Sequence, residues 1–259
     1  MVSITAIRKT LKTSAPVTLS KRGGYKCFIS KARVQSRRKP FRGLTKCLES
    51  KLFSKASMPR AKLHSTIRVR GWKGKMAGRR RGVAVDKQLT SIANGTVKSA
   101  GSKTRLHQLT SLALAALEKQ GLTLVCAQRG VCSASSSIAT AIDLVCIEKG
   151  VQALWIVEVK CGYHNIRTTP GKLKGKVAYF RQALSRCTDT AEHRHFAQLA
   201  STLHMFLQEE RTLRTLQEVH GVSKIKGALL YLSDTQVDFV KMDRWWIDRA
   251  TSILNAIRK

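Results

Sequence analysis

Two short apolar runs, residues 141–147 and 154–160, each carry an acid near one end, where a buried strand would ordinarily continue. The turn-forming stretch Glu148-Lys149-Gly150 joins them, so the pair reads as a β-hairpin. In the second run Val157 and Val159 alternate with Glu158 and Lys160. One face of that strand is therefore apolar, and the other carries a carboxylate beside an ammonium. Asp143 occupies the matching place in the first run. Two carboxylates on neighbouring buried strands repel each other and resist desolvation unless a cation lies between them. A hard divalent ion such as Mg²⁺ takes oxygen donors of this kind. The nearby lysine then serves to orient a water or to stabilise charge on a phosphate.

This arrangement resembles the PD-(D/E)xK superfamily of metal-dependent nucleases. Its signature is an Asp, a short strand connection and Glu-x-Lys; here Asp143 is followed by fourteen residues and then Glu158-Val159-Lys160. Lys160-Cys161-Gly162-Tyr163 is similar to the Lys-Thr-Gly of the RecB-like and lambda-exonuclease-like branch. That branch carries a helical Gln-x-x-x-Tyr, to which the stretch from Gln198 to Thr202 is similar, with Thr202 in the Tyr place; Gln182 is a second candidate for the glutamine. Gly82-Val83-Ala84-Val85-Asp86 looks like the branch's Gly-x-x-x-His helix, with Asp86 in the His position. The resemblance covers roughly residues 76–259. It departs from the pattern at Ile142, where Pro is usual, and it requires an insertion between Lys160 and Gln198.

The resemblance implies a restriction-endonuclease-like α/β fold, a mixed central sheet flanked by helices. It also implies Mg²⁺ or Mn²⁺ held by Asp143, Glu158 and the backbone carbonyl of Val159. Lys160 would position or activate the attacking water, and Gln198 would orient it. The expected function is a divalent-metal-dependent DNA nuclease, an exonuclease or end-processing enzyme. The alternatives are a structure-specific endonuclease or junction resolvase, and a non-enzymatic basic DNA-packaging protein on a nuclease-like fold. Outside the resemblance, Asp86 reads as a surface acid on a basic helix.

Charge points to the partner. The net charge is +33, and residues 1–100 hold 26 Lys and Arg against only Glu49 and Asp86. Such a chain attracts polyanions through long-range fields and counterion release. DNA is the expected partner, with RNA as the alternative polyanion. No run of 18 apolar residues exists, so no stable membrane insertion is expected. The seven cysteines include no Cys-x-x-Cys pair, which argues against structural zinc and against a disulfide framework. These features predict an intracellular, DNA-containing compartment: nucleus, mitochondrion or virion and viral factory.

Residues 1–75 show no sustained periodicity and read as a basic, largely disordered arm for nucleic-acid binding or targeting. Residues 76–259 read as the nuclease domain. Arg79, Arg80 and Arg81, and the loop lysines Lys172, Lys174 and Lys176, are candidates to track a phosphate backbone. Helices are expected over 83–93 and 104–119, strands over 122–127, 142–147 and 154–160, and a polar loop over 133–137. Leu173, Val177, Phe180, Leu184 and Cys187 form a stripe that predicts a further helix. Another is expected from about 196 to 220, then a hairpin over 225–242 and a terminal helix carrying Trp246. His193 and His195 are too close in sequence to converge on one metal from a helix. Trp72, Trp245, Trp246 and His164 are secondary candidates for base or phosphate contact.

Overall fold

The apolar runs around Asp143 and Glu158 pair antiparallel, as strands Ile138–Glu148 and Ala153–Cys161. They lie in a computed structural model that describes residues 3–22, 25–30, 40–58, 77–96, 106–150, 152–163, 166–233 and 236–258. The order is α1 (Ile4–Ser14), β1 (Val17–Arg22), β2 (Tyr25–Ser30), β3 (Arg42–Gly43), α2 (Leu44–Lys51), α3 (Ala77–Ala93) and α4 (Gln108–Lys119). Then come β4 (Leu122–Ser133), β5 (Ile138–Glu148), β6 (Ala153–Cys161), β7 (Lys172–Leu173), β8 (Lys176–Val177), α5 (Ala191–Leu207) and α6 (Glu210–Glu218). The chain closes with β9 (Lys224–Leu232), β10 (Val237–Lys241) and α7 (Arg244–Arg258).

The fold is α/β, with a mixed central sheet flanked by helices. The sheet runs β10-β9-β6-β5-β3, and β4 also pairs with β5. The β9–β6 and β3–β5 pairs are parallel and the others antiparallel. Alternation along the strands feeds two cores. Leu154, Ile156, Leu229 and Tyr231 join the cluster with residues of α1, α2, α5 and α7. Trp155, Val157, Ala228 and Leu230 face the other way, against residues of α3 and α4. Burial on both faces accounts for the unbroken apolar runs of β5, β6 and β9.

The amino-terminal segment departs from the expected arm. Ile7 and Leu11 of α1, Leu44, Cys47 and Leu48 of α2, and the following Leu52 and Phe53 are buried in the main core. Ser3 Oγ caps α1 by accepting from the Ala6 amide at 3.3 Å. Arg8 Nε donates to the Val125 carbonyl (2.7 Å), and Arg129 Nε donates to the Leu11 carbonyl (3.0 Å), tying α1 to β4. The basic composition conceals a short amphipathic helix with Ile4, Ile7 and Leu11 on one stripe. Residues 59–76, which complete the expected arm, lie outside the described residues.

Other expectations change as well. The helix over 173–187 is absent. Instead Lys174 and Gly175, both at positive φ, form a two-residue turn between β7 and β8. Only Gly adopts that conformation freely, and paired positive φ values suit a tight hairpin. The strap that follows still buries Ala178, Phe180 and Leu184. The helix expected to 220 breaks after Leu207, where Glu209 turns in to pair with the buried Arg129. The serine stretch 133–137 is a β4–β5 turn held in place, because the Arg42 amide donates to Ser137 O and its guanidinium to Ser136 O. Asp189, fully buried, accepts from the Ser54 amide (2.8 Å), Ser54 Oγ (2.6 Å) and Arg194, which fastens α5 to the segment after α2.

If the amino-terminal helix is part of the core, Leu11→Ala costs about 2–5 kcal/mol of stability, as for other buried leucines. Gly130→Ala is also destabilising, because a Cβ there lies 2.3 Å from the Val17 carbonyl oxygen. Urea unfolding checks both. Wild-type midpoints for both variants would mean that α1 and β1 do not pack as described.

Candidate functional site

Asp143 sits where β5 loses its neighbours on both sides. On one edge the β5–β6 pairing ends at Leu144–Val157, although continued register would set Asp143 opposite Glu158. Further back along that edge β3 takes over, at Ile138 and Ala139. On the other edge, Gln128 lies opposite Asp143 between the pairs Ala127–Leu144 and Arg129–Ile142, with φ 52°. The Val159 amide therefore turns to the Asp143 side chain and donates to Oδ2 at 3.0 Å. In an extended strand the N–H and C=O of one residue point to the same edge. The Val159 carbonyl thus faces the same opening.

Glu158, Lys160 and Gln198 close the other side. Glu158 is buried, and its Oε1 accepts from Lys160 Nζ (2.7 Å) and Gln198 Nε2 (2.6 Å). Lys160 Nζ also donates to Gln198 Oε1 at 3.3 Å. Thr190 caps α5 by accepting from the His193 amide (3.0 Å), and the helix places Gln198 two turns further on, over β6. The three side chains form a closed ring of donors and acceptors. Gln182, the other candidate, lies in a short 3₁₀ turn, where its amide reaches the Lys51 carbonyl at 3.4 Å.

The electrostatics of the cluster suit a cation. Burial, and then the charge of Glu158, push the Asp143 carboxyl well above the usual carboxylate range, against Lys160 and the Val159 amide. Burial disfavours the Lys160 ammonium, but Glu158 and Asp143 outweigh it and hold the group above an ordinary lysine. Among the described residues no cluster of three or more His, Cys, Asp or Glu gathers to hold a metal by itself. The set at the opening is instead two carboxylates and a backbone carbonyl, hard oxygen donors of the kind Mg²⁺ and Mn²⁺ accept.

Two further polar residues reach this place. Gln128 Nε2 donates to Asp86 Oδ1 (2.7 Å) and lies 3.4 Å from Asp143 Oδ1. Asp86 is thus turned toward β5 rather than lying as a plain surface acid on α3. Gln128 carries no motif, and only register counting along β4 would have placed it opposite Asp143. His195, one turn before Gln198, contacts the Tyr231 hydroxyl through Nδ1 (3.0 Å) and stacks edge-on to Tyr163. His193 turns away, its Nδ1 at 2.8 Å from Thr188 O. Lys172, Lys174 and Lys176 are exposed on the β7–β8 hairpin. Arg81 does not present its charge at the surface as expected: it is 4 % exposed, and its charge acts on the buried Cys161 thiol. Trp246 is core and stacks on Phe196, whereas Trp245 packs under Arg249. Trp72, His164 and the side chains of Arg79 and Arg80 lie outside the described residues.

Burial, with the charges of Lys160 and Arg194, holds His195 well below the ordinary histidine value and keeps it neutral when folded. An unfolded chain protonates this ring below about pH 6.5. The unfolded state then binds more protons, so stability present above that pH is lost as pH falls, by up to about 1.4 kcal/mol per unit. Unfolding free energies between pH 7 and 5 should fall more steeply for the wild type than for His195→Gln; parallel curves would show that His195 titrates normally. Comparison with protein-family models, with curated proteins and with solved structures returned no match.

Proposed function

We propose that the protein is a divalent-metal-dependent nuclease of PD-(D/E)xK type that hydrolyses phosphodiester bonds in DNA. The observation that carries this reading is the meeting of Asp143, Glu158, Lys160 and Gln198 at one opening in the sheet. The order of elements supports it: helix α4, the antiparallel strands β4, β5 and β6, helix α5, then β9 parallel to β6. That order is the one a restriction-endonuclease-like core requires.

Asp143, Glu158 and the Val159 carbonyl would hold Mg²⁺ or Mn²⁺. The ion supplies positive charge opposite the scissile phosphate and so offsets charge that builds up in the transition state. Lys160 holds three donors beside Glu158 and orients the attacking water in line with the leaving oxygen. Gln198 donates to Glu158 and accepts from Lys160, and so fixes the angle between them. The β7–β8 lysines guide the substrate backbone. Their hairpin is anchored where Pro170 bridges Thr190, and α5 runs from there to Gln198, eight residues or about 12 Å along the helix.

A labelled duplex incubated with Mg²⁺ tests the reading. Asp143→Ala and Glu158→Ala are expected to abolish cleavage without unfolding the protein. Lys160→Ala should lower single-turnover cleavage on the order of 10²-fold or more, with DNA affinity nearly unchanged, because one charge among many contacts is lost. Loss of linear but not circular DNA identifies an exonuclease, and cutting of both an endonuclease. Wild-type cleavage by the Asp143 variant, or binding without any Mg²⁺-dependent cleavage by the wild type, would remove the nuclease assignment.

A further inference from the structure

Gln128 combines two features that nothing in the strand pattern calls for. Its backbone is at φ 52°, a region that an L-residue with a long side chain enters only at steric cost. Its side-chain amide reaches acids on two different elements, Asp86 on α3 at 2.7 Å and Asp143 on β5 at 3.4 Å. A glycine would adopt the same backbone without strain, but it would leave those acids with no common donor. The two carboxylates repel, and the charge of Asp86 adds to the forces that raise the Asp143 carboxyl. An N–H donor shared between them offsets that repulsion and turns the α3 acid toward the sheet.

We infer that Gln128 is a positioning residue: its amide holds the Asp86 carboxylate against Asp143, so that a cation held by Asp143 and Glu158 meets a third acid from α3. The assignment rests on the metal-dependent reading of the site. It differs from that reading in naming a neutral side chain that touches no substrate and acts through Asp86. Outer residues that orient metal ligands contribute about 10–100-fold to metal affinity, so the expected effect is of that size.

The test is Mn²⁺ binding by calorimetry on the full chain without nucleic acid, alongside metal-free thermal unfolding. Gln128→Gly suits the backbone conformation, so its metal-free Tm should equal or exceed that of the wild type. Its Mn²⁺ affinity should nonetheless fall about 10–100-fold. Asp86→Asn should weaken binding similarly, and the double variant should be no weaker than the worse single one, because the two residues act as a unit. Wild-type Mn²⁺ affinity in Gln128→Gly, or additive losses in the double variant, would overturn the assignment of Gln128 alone. A wild type that binds no Mn²⁺ would overturn both this assignment and the metal-dependent reading beneath it.

Discussion

Where β5 and β6 part, the Val159 amide gives up a backbone acceptor and donates to Asp143 Oδ2 at 3.0 Å. A buried N–H has to find a partner. Here a side chain supplies it, and the ladder can end in the middle of a sheet rather than at an edge. The opening at Asp143 and the seat of Glu158 both follow from that exchange. Below the opening, Leu144 to Ile147 pair with Leu154 to Val157, every one of them apolar and packed on one of the two cores. The rigid hairpin fixes the positions of the two acids; the exchange at its end exposes them to each other.

The acids are poorly placed for an isolated protein and well placed for a cation. Glu158 is compensated by two charge-assisted or polar donors on a single oxygen. Asp143 has one backbone donor, a distant amide and two acidic neighbours, and its carboxyl is correspondingly hard to ionise. Active sites concentrate such mismatches, because groups arranged for a reaction are not arranged for stability. The surrounding structure offsets the cost. Arg129, buried with Glu209, and Asp189, buried with Arg194 and Ser54, lock α1, α5 and the segment after α2 around the sheet.

Much of the site was legible because its chemistry interrupts a strong pattern. An Asp and a Glu-x-Lys stand out only against Val, Ile and Leu at period two, and Gln198 followed from its flanking helix. The remainder was hidden for identifiable reasons. Ile4, Ile7 and Leu11 make a helix that the basic composition of residues 1–75 masked. The 173–187 stripe matched a helical period, but positive φ at Lys174 and Gly175 turned the chain into a hairpin. Gln128 lies opposite Asp143 only in the paired register, which a single strand does not reveal. Arg81 belongs to a run of three arginines, yet one face of α3 is buried and takes it inward.

The most direct test of the account is anomalous diffraction from crystals of the protein soaked in Mn²⁺. A site created by the break in the sheet predicts one strong peak between the carboxylates of Asp143 and Glu158 and the Val159 carbonyl, lost in Asp143→Ala. A protein that binds Mn²⁺ only elsewhere, or leaves this opening empty while the Val159 amide stays on Asp143, would contradict it.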